Sequence, residues 1–214
     1  MRLVYMNPNS TEAMTDSMVS VARETAPGAE VLGWTNHLGP PSIQGLEDGA
    51  AAVEGLLALL PEARAAAADA IFIGCFDDTG LGPLQAAAHC PVIGTGQAGM
   101  SLAALHSGRF GIVTTLDVSV LVIAANVEVY GHRRACVGVF ASDLPVLEVE
   151  RGGQNVEDRL ARAIPNAEVA GADAVVLGCA GMSRLRRRLS ARTGSLLIDG
   201  VVPAAFSAQG LACR

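Results

Sequence analysis

Ala68-Asp69-Ala70-Ile71-Phe72-Ile73-Gly74-Cys75 and Ala172-Asp173-Ala174-Val175-Val176-Leu177-Gly178-Cys179 are nearly the same octapeptide, written twice about half a chain apart. Each carries an unbroken apolar run closed by Gly-Cys. A short run with no polar alternation, rich in β-branched residues, reads as a strand buried on both faces, as in parallel sheets. A second pair repeats at nearly the same offset: Arg2-Leu3-Val4-Tyr5-Met6-Asn7 and Arg109-Phe110-Gly111-Ile112-Val113-Thr114. Each half therefore has one strand ending in a small polar segment and a later one ending in Gly-Cys.

Working outward, further strand-like runs are Val31–Trp34, Val92–Ile93, Ala135–Val139 and Leu196–Ile198. Helical patterns fall between the strands at Thr11–Thr25, Ala50–Ala67, Gly96–His106, Val118–Val129, Val156–Ala170 and Ser183–Arg192. Asn9 followed by Glu12 reads as a capping box for the first helix, and Pro61 is expected to kink or interrupt the second. Strands alternating with helices of this length predict repeated βαβ units. The fold class expected is α/β, with two pseudo-symmetric lobes, each a mostly parallel sheet flanked by helices, and an active site in the cleft between them. The first lobe is placed at 1–95, completed by a C-terminal helix over 200–214, and the second at 96–199. Ligands of open α/β sheets sit at the carboxyl ends of the strands, where all four repeated segments would lie.

The composition narrows the chemistry. Half of the 214 residues are apolar and 17% are charged, which excludes a disordered or coiled-coil chain. The net charge of -6 argues against a nucleic-acid partner. All 15 basic side chains are arginine, so neither a lysine Schiff base nor a P-loop lysine can form. The opening run Met1–Met6 is too short for the ~7–15 apolar residues of an export signal, and no stretch approaches the ~18 apolar residues of a membrane span. Five cysteines, an odd number in a chain too large to need disulfide staples, suggest reduced thiols and a cytoplasmic protein.

Cys75 and Cys179 each follow a buried strand and precede a helical segment, a position expected to favour the thiolate and shift the thiol downward. Related by pseudo-symmetry, the two would face each other across the cleft. A carbon acid between them can lose its proton to one thiolate and regain one from the opposite thiol, which inverts the stereocentre. Against this, a lone cysteine after a strand is usually a core residue. That reading is taken for Cys90, Cys136 and Cys213, while the repeated octapeptide argues against it for Cys75 and Cys179. A redox disulfide would want a CxxC motif, which is absent. His37, His89, His106 and His132 show no metal-ligand spacing to any cysteine, so no metal is expected.

The segments Gly74-Cys75-Phe76-Asp77-Asp78-Thr79-Gly80-Leu81 and Leu177-Gly178-Cys179-Ala180-Gly181-Met182 resemble the aspartate/glutamate/hydantoin racemase superfamily, in particular its hydantoin racemase branch, which includes allantoin racemases. Asn7-Pro8-Asn9-Ser10-Thr11, Gly39-Pro40-Pro41-Ser42-Ile43, Phe110–Leu116 and Ile198-Asp199-Gly200 extend the resemblance over nearly the whole chain. It implies a cofactor-independent two-base racemase that forms homo-oligomers, with Cys75 and Cys179 as its catalytic pair. It also implies a substrate cradle at Asn9, Ser10, Phe76, Asp77, Thr114, Thr115, Ala180 and Gly181. Many relatives carry Pro where this chain has Thr79, a departure that bears on substrate preference. Glutamate racemases set Thr and His beside their cysteines; here Phe76 and Ala180-Gly181-Met182 make a drier lining, better suited to a neutral 5-substituted hydantoin or allantoin. The other readings are an amino-acid racemase, a maleate isomerase-like or arylmalonate decarboxylase-like enzyme, and a non-catalytic ligand-binding protein.

The remaining features have plainer readings. Asp77 and Asp78 either tune the Cys75 thiol or cap a helix in solvent. Asp69 and Asp173 precede their strands, at the end away from the cleft, and read as structural. The run Arg184, Arg186, Arg187, Arg188 with Arg192 has no interleaved aromatics and suits a solvated helix or an oligomer contact better than an RNA site. Gly94-Thr95-Gly96 lacks the further glycine of a nucleotide loop. The partner expected is a small-molecule substrate, with neither nucleic acid nor membrane.

Overall fold

The computed structural model describes residues 1–211, so Cys213 and the end of the expected C-terminal helix lie outside the described residues. In chain order the elements are β1 (Arg2–Asn7), α1 (Glu12–Thr25), β2 (Glu30–Thr35), α2 (Leu46–Ala58), α3 (Leu60–Ala65), β3 (Ala70–Ile73), α4 (Leu81–Ala87), β4 (Val92–Gly94) and α5 (Thr95–Ser107). There follow β5 (Phe110–Thr114), α6 (Asp117–Val129), β6 (Cys136–Ala141), α7 (Val146–Arg151), α8 (Gln154–Val169), β7 (Ala174–Leu177), a 3-10 helix (Ala180–Leu185), α9 (Arg186–Thr193), β8 (Leu197–Ile198) and α10 (Val201–Leu211).

The strands form two four-stranded parallel sheets with the same order, β2-β1-β3-β4 and β6-β5-β7-β8. The repeated segments become the central strands: β1 and β3 pair in one sheet, β5 and β7 in the other. All four residues of β3 and of β7 are buried, as unbroken apolar runs require when helices cover both faces. The chain leaves β1 to opposite sides to reach β2 and β3, so the crevice beside β1 and β3 is a topological switch point, and β5 with β7 makes its counterpart. Asn7–Asn9 and Cys75 emerge at the first of these, Thr114–Thr115 and Cys179 at the second.

α10 returns to the first sheet. Val201, Ala204 and Ala205 share a core with Leu3, Tyr5 and Met18, and the buried Tyr5 hydroxyl donates to the Val201 carbonyl at 3.1 Å. Pro61 falls in the first turn of α3, so the second helical stretch is interrupted into α2 and α3. The capping box expected from Asn9 and Glu12 does not form. The N-cap of α1 is Thr11, with no side-chain cap bond, and Asn9 Oδ1 instead accepts the Thr11 N–H at 3.0 Å. The small polar residue closes a local turn in place of the helix end. The basic run is met by carboxylates: Arg184 by Glu150, Arg186 by Asp199, Arg188 by Glu157 and Arg192 by Asp158. Asp69 accepts the Arg2 N–H at 2.6 Å, tying the start of β1. Among the described residues, no helix is long and apolar enough to cross a membrane.

Candidate active site

A narrow cavity lies where the carboxyl ends of β1, β3, β5 and β7 converge. Both Cys75 and Cys179 line it, as free thiols. Of the cradle residues read from the sequence, Asn9, Phe76, Asp77, Thr115 and Ala180 are on its wall, while Ser10, Thr114 and Gly181 are not. Thr114 is fully buried and donates from Oγ1 to the Gly178 carbonyl at 2.9 Å, holding the turn that presents Cys179. The Ser10 N–H donates to the Pro40 carbonyl, fixing the loop beyond Asn9. Gly181 serves Cys179 through its backbone N–H. Met14, Ser119 and Val146 also reach the wall and are missed by the sequence reading. Their only signal is indirect: Met14 lies one turn into the helix after β1, Ser119 at the equivalent place after β5, and Val146 follows the helix-starting Pro145.

Two glycines and an aspartate shape the turns that carry Cys75 and Cys179. Gly74 sits against the Met18 side chain and Gly178 against Ile112 and Thr114, and a Cβ at either would collide with these neighbours. Asp78 is a left-handed residue (φ 52°) that closes a turn by donating its N–H to the Cys75 carbonyl. Its carboxylate is not a solvated cap. It is 6% exposed and accepts the N–H groups of Gly96 at 2.9 Å and Gln97 at 2.7 Å and the Tyr130 hydroxyl at 2.8 Å, so it caps α5 from across the loop. Gly94 and Gly96 have no Cβ because Asp78 and the Phe76 carbonyl occupy that space.

Thr79, the departure from the usual proline, turns Oγ1 toward Cys75 Sγ at 3.8 Å. The Asp77 N–H also points at that sulfur, and the N–H groups of Gly181 and Met182 point at Cys179. These donors do not produce the expected downward shift of the thiols. Burial pushes Cys75 well above the usual thiol range, with the Asp77 charge adding to it, and pushes Cys179 up to about 12. Loss of hydration outweighs a few N–H donors, and the 3-10 turn after Cys179 offers only a weak dipole. The nearby Cys179 further opposes ionisation of Cys75. Asp77 and Asp78 are both raised to about 7, chiefly by burial.

Cys90 and Cys136 are part-buried at the edges of two core clusters, consistent with packing roles. Among the described residues, no cluster of three or more His, Cys, Asp or Glu side chains is arranged to hold a metal ion.

Comparison with known proteins adds to this geometry. The profile of a family described as Asp/Glu/Hydantoin racemase matches residues 3–208. A hydantoin racemase of Rhizobium meliloti is 41% identical over 99% of this chain and 88% of its own. The solved structure of allantoin racemase from Klebsiella pneumoniae superposes with a TM-score of 0.90 at 36% identity, covering 99% of this chain and 87% of that one. Glutamate racemase from Francisella tularensis shares the fold (TM-score 0.73, 98% and 80% covered) at only 16% identity.

Proposed function

The chain belongs to the Asp/Glu/Hydantoin racemase family and is a racemase of the hydantoin and allantoin type, and from that premise we propose that it inverts the C5 stereocentre of 5-substituted hydantoins or allantoin by proton transfer between Cys75 and Cys179. The observation that carries this reading is the pair of free thiols on one narrow cavity, at equivalent strand ends of two sheets with the same strand order. Asn9, Phe76, Asp77, Thr115 and Ala180 on the same wall supply the cradle.

In the proposed cycle one cysteine is a thiolate and the other a thiol. The thiolate takes the C5 proton from one face, the electron pair passes into the adjacent carbonyl as an enolate, and the opposite thiol returns a proton to the other face. The thiolate and thiol exchange places, so charge is unchanged and the reverse reaction starts from the product. The repulsion between the two sulfurs supports this state, since it makes a second thiolate harder to form once the first exists. A hydantoin C5–H, flanked by a carbonyl within a conjugated ring, is a far stronger carbon acid than an amino acid α-proton. Asn9, Thr115 and Ser119 line the same cavity and carry the hydroxyl and amide donors that an enolate oxygen needs. No step calls for a metal or cofactor.

Reduced thiols support a cytoplasmic enzyme. Exposed Leu46, Val118 and Leu121, with Val118 lying beside Gly45, support a homo-oligomer that sedimentation equilibrium would reveal.

The test is polarimetry on an enantiopure 5-substituted hydantoin, with allantoin and L-glutamate alongside, under reducing conditions and with chelator. Loss of rotation with deuterium uptake at C5 is expected for the hydantoin or allantoin, with no effect of chelator. Cys75→Ser and Cys179→Ser should each lower racemisation by about 10²–10⁴-fold, while each still exchanges the C5 proton of one enantiomer. Normal racemisation by both single variants would overturn the two-base mechanism.

A further inference from the structure

Among the described residues Asp77 is the one acidic side chain on the cavity wall, and the proton transfer itself does not use its carboxylate. Its backbone is held from both sides: the N–H points at Cys75 Sγ, and the carbonyl accepts Asn126 Nδ2, from α6 of the other lobe, at 2.9 Å. Its Oδ2 is shielded from solvent and has no hydrogen-bond partner. A buried carboxyl oxygen without a partner is costly, and chains tolerate one where a ligand completes it. The rest of the polar wall is of the opposite kind. Asn9 turns Oδ1 to Asn7 Nδ2 and the Thr11 N–H, which leaves its amide NH2 as a donor, and Thr115 and Ser119 add hydroxyls. Among the described residues, no Arg or His lines the cavity.

The wall thus offers donors for carbonyl oxygens, one carboxylate to accept an N–H, and no cation for a carboxylate. A hydantoin ring presents the complement, two carbonyls and two N–H groups, without a formal charge. An amino acid brings an α-carboxylate for which the wall holds no cation and which a charged Asp77 repels. Resting on the racemase reading above, we infer that Asp77 is the specificity-determining residue, accepting a hydrogen bond from a ring N–H of a neutral cyclic ureide held between Cys75 and Cys179 and turning away carboxylate-bearing substrates.

The test crosses substrate with protein. Deuterium exchange at C5 gives kcat/KM for a 5-substituted hydantoin, for its N1-methyl analogue and for its N3-methyl analogue, all neutral at the pH of the assay. Each is measured with the wild type, Asp77→Leu and Asp77→Asn. Comparing ratios across variants cancels the intrinsic acidity of each compound. The wild type should prefer the parent over at least one analogue by about 10- to 100-fold more than Asp77→Leu does, as loss of a hydrogen bond to a charged group predicts. Asp77→Asn keeps the shape and one acceptor oxygen, so it should recover most of the parent rate and most of the preference, which a merely structural role would not reproduce. Preference ratios within twofold across all three proteins for both analogues would overturn the inference and leave the racemase reading intact. So would exchange of glutamate by the wild type at a rate comparable to the hydantoin. If the wild type exchanges no hydantoin at all, the racemase reading fails, and the inference with it.

Discussion

A single hydroxyl illustrates how local chemistry sets the activity. Thr79 donates to Cys75 Sγ, one of the few contacts that lower a thiol otherwise raised by burial. Thr79→Val removes that donor and should lower kcat/KM near neutral pH by about 3- to 10-fold, the worth of one ordinary hydrogen bond. The signature is in the pH profile. With both thiols above their usual range, kcat/KM is expected to rise about tenfold per pH unit on the acid side, as thiolate forms. In Thr79→Val that limb should move to higher pH, and an unmoved limb would deny the hydroxyl its role. Asp77 makes a stability prediction at the same scale. Its carboxyl is raised to about 7 in the folded chain, from an ordinary value near 3.8, so the folded state holds its proton more tightly than the unfolded state. The stability this provides is fully present below about pH 4 and is lost as pH rises through 7. Asp77→Asn cannot ionise and should melt at a higher temperature than the wild type at pH 8, with a smaller difference at pH 5. Thermal unfolding at the two pH values checks this.

At the scale of elements, the loop after β3 and the start of α5 form one unit. Asp78 gives α5 the cap it lacks locally, since Gly94 has no side chain to supply one. The same carboxylate fixes the turn that carries Cys75, Phe76 and Asp77. Asp78→Ala should cost about 1–3 kcal/mol, because two helix N–H groups and the Tyr130 hydroxyl lose their acceptor. Urea unfolding measures that loss, and a cost below about 0.5 kcal/mol would argue against the cap. Gly94-Thr95-Gly96 was legible as a glycine-rich stretch, but its purpose was not. The glycines make room for a carboxylate lying 16 to 18 residues upstream in sequence, and no local pattern encodes such an approach.

For the molecule as a whole, the cavity exists only because the two lobes are held in register. Several bonds cross between them: Asn126 Nδ2 to the Asp77 carbonyl at 2.9 Å, Tyr130 to Asp78, the Val146 N–H to Gln44 Oε1 at 3.1 Å, and Ser17 to Glu150 at 2.6 Å. Met14, from α1 of the first lobe, packs in the second lobe's core beside Cys179. Asn126→Ala lies outside the cavity wall, yet it should raise KM more than it lowers kcat, by loosening the Asp77 backbone; steady-state kinetics separate the two. A fall in kcat with KM unchanged would mean that the bond does not position the site.

The sequence by itself determined the α/β class, the correspondence of the repeated strands between the two halves and the placement of Cys75 and Cys179 at equivalent strand ends. Burial of a strand on both faces and helix-length spacing are written in consecutive residues, and a duplicated octapeptide exposes the symmetry. The tertiary structure decided the rest. It set the state of the thiols, because desolvation depends on everything packed around a sulfur and not on its neighbours in the chain. It selected which polar residues face the cavity, leaving Ser10, Thr114 and Gly181 to brace it and bringing in Met14, Ser119 and Val146. It turned Asp78 into a buried cap and left Asp77 Oδ2 without a partner, because both outcomes rest on groups from distant segments meeting at one point.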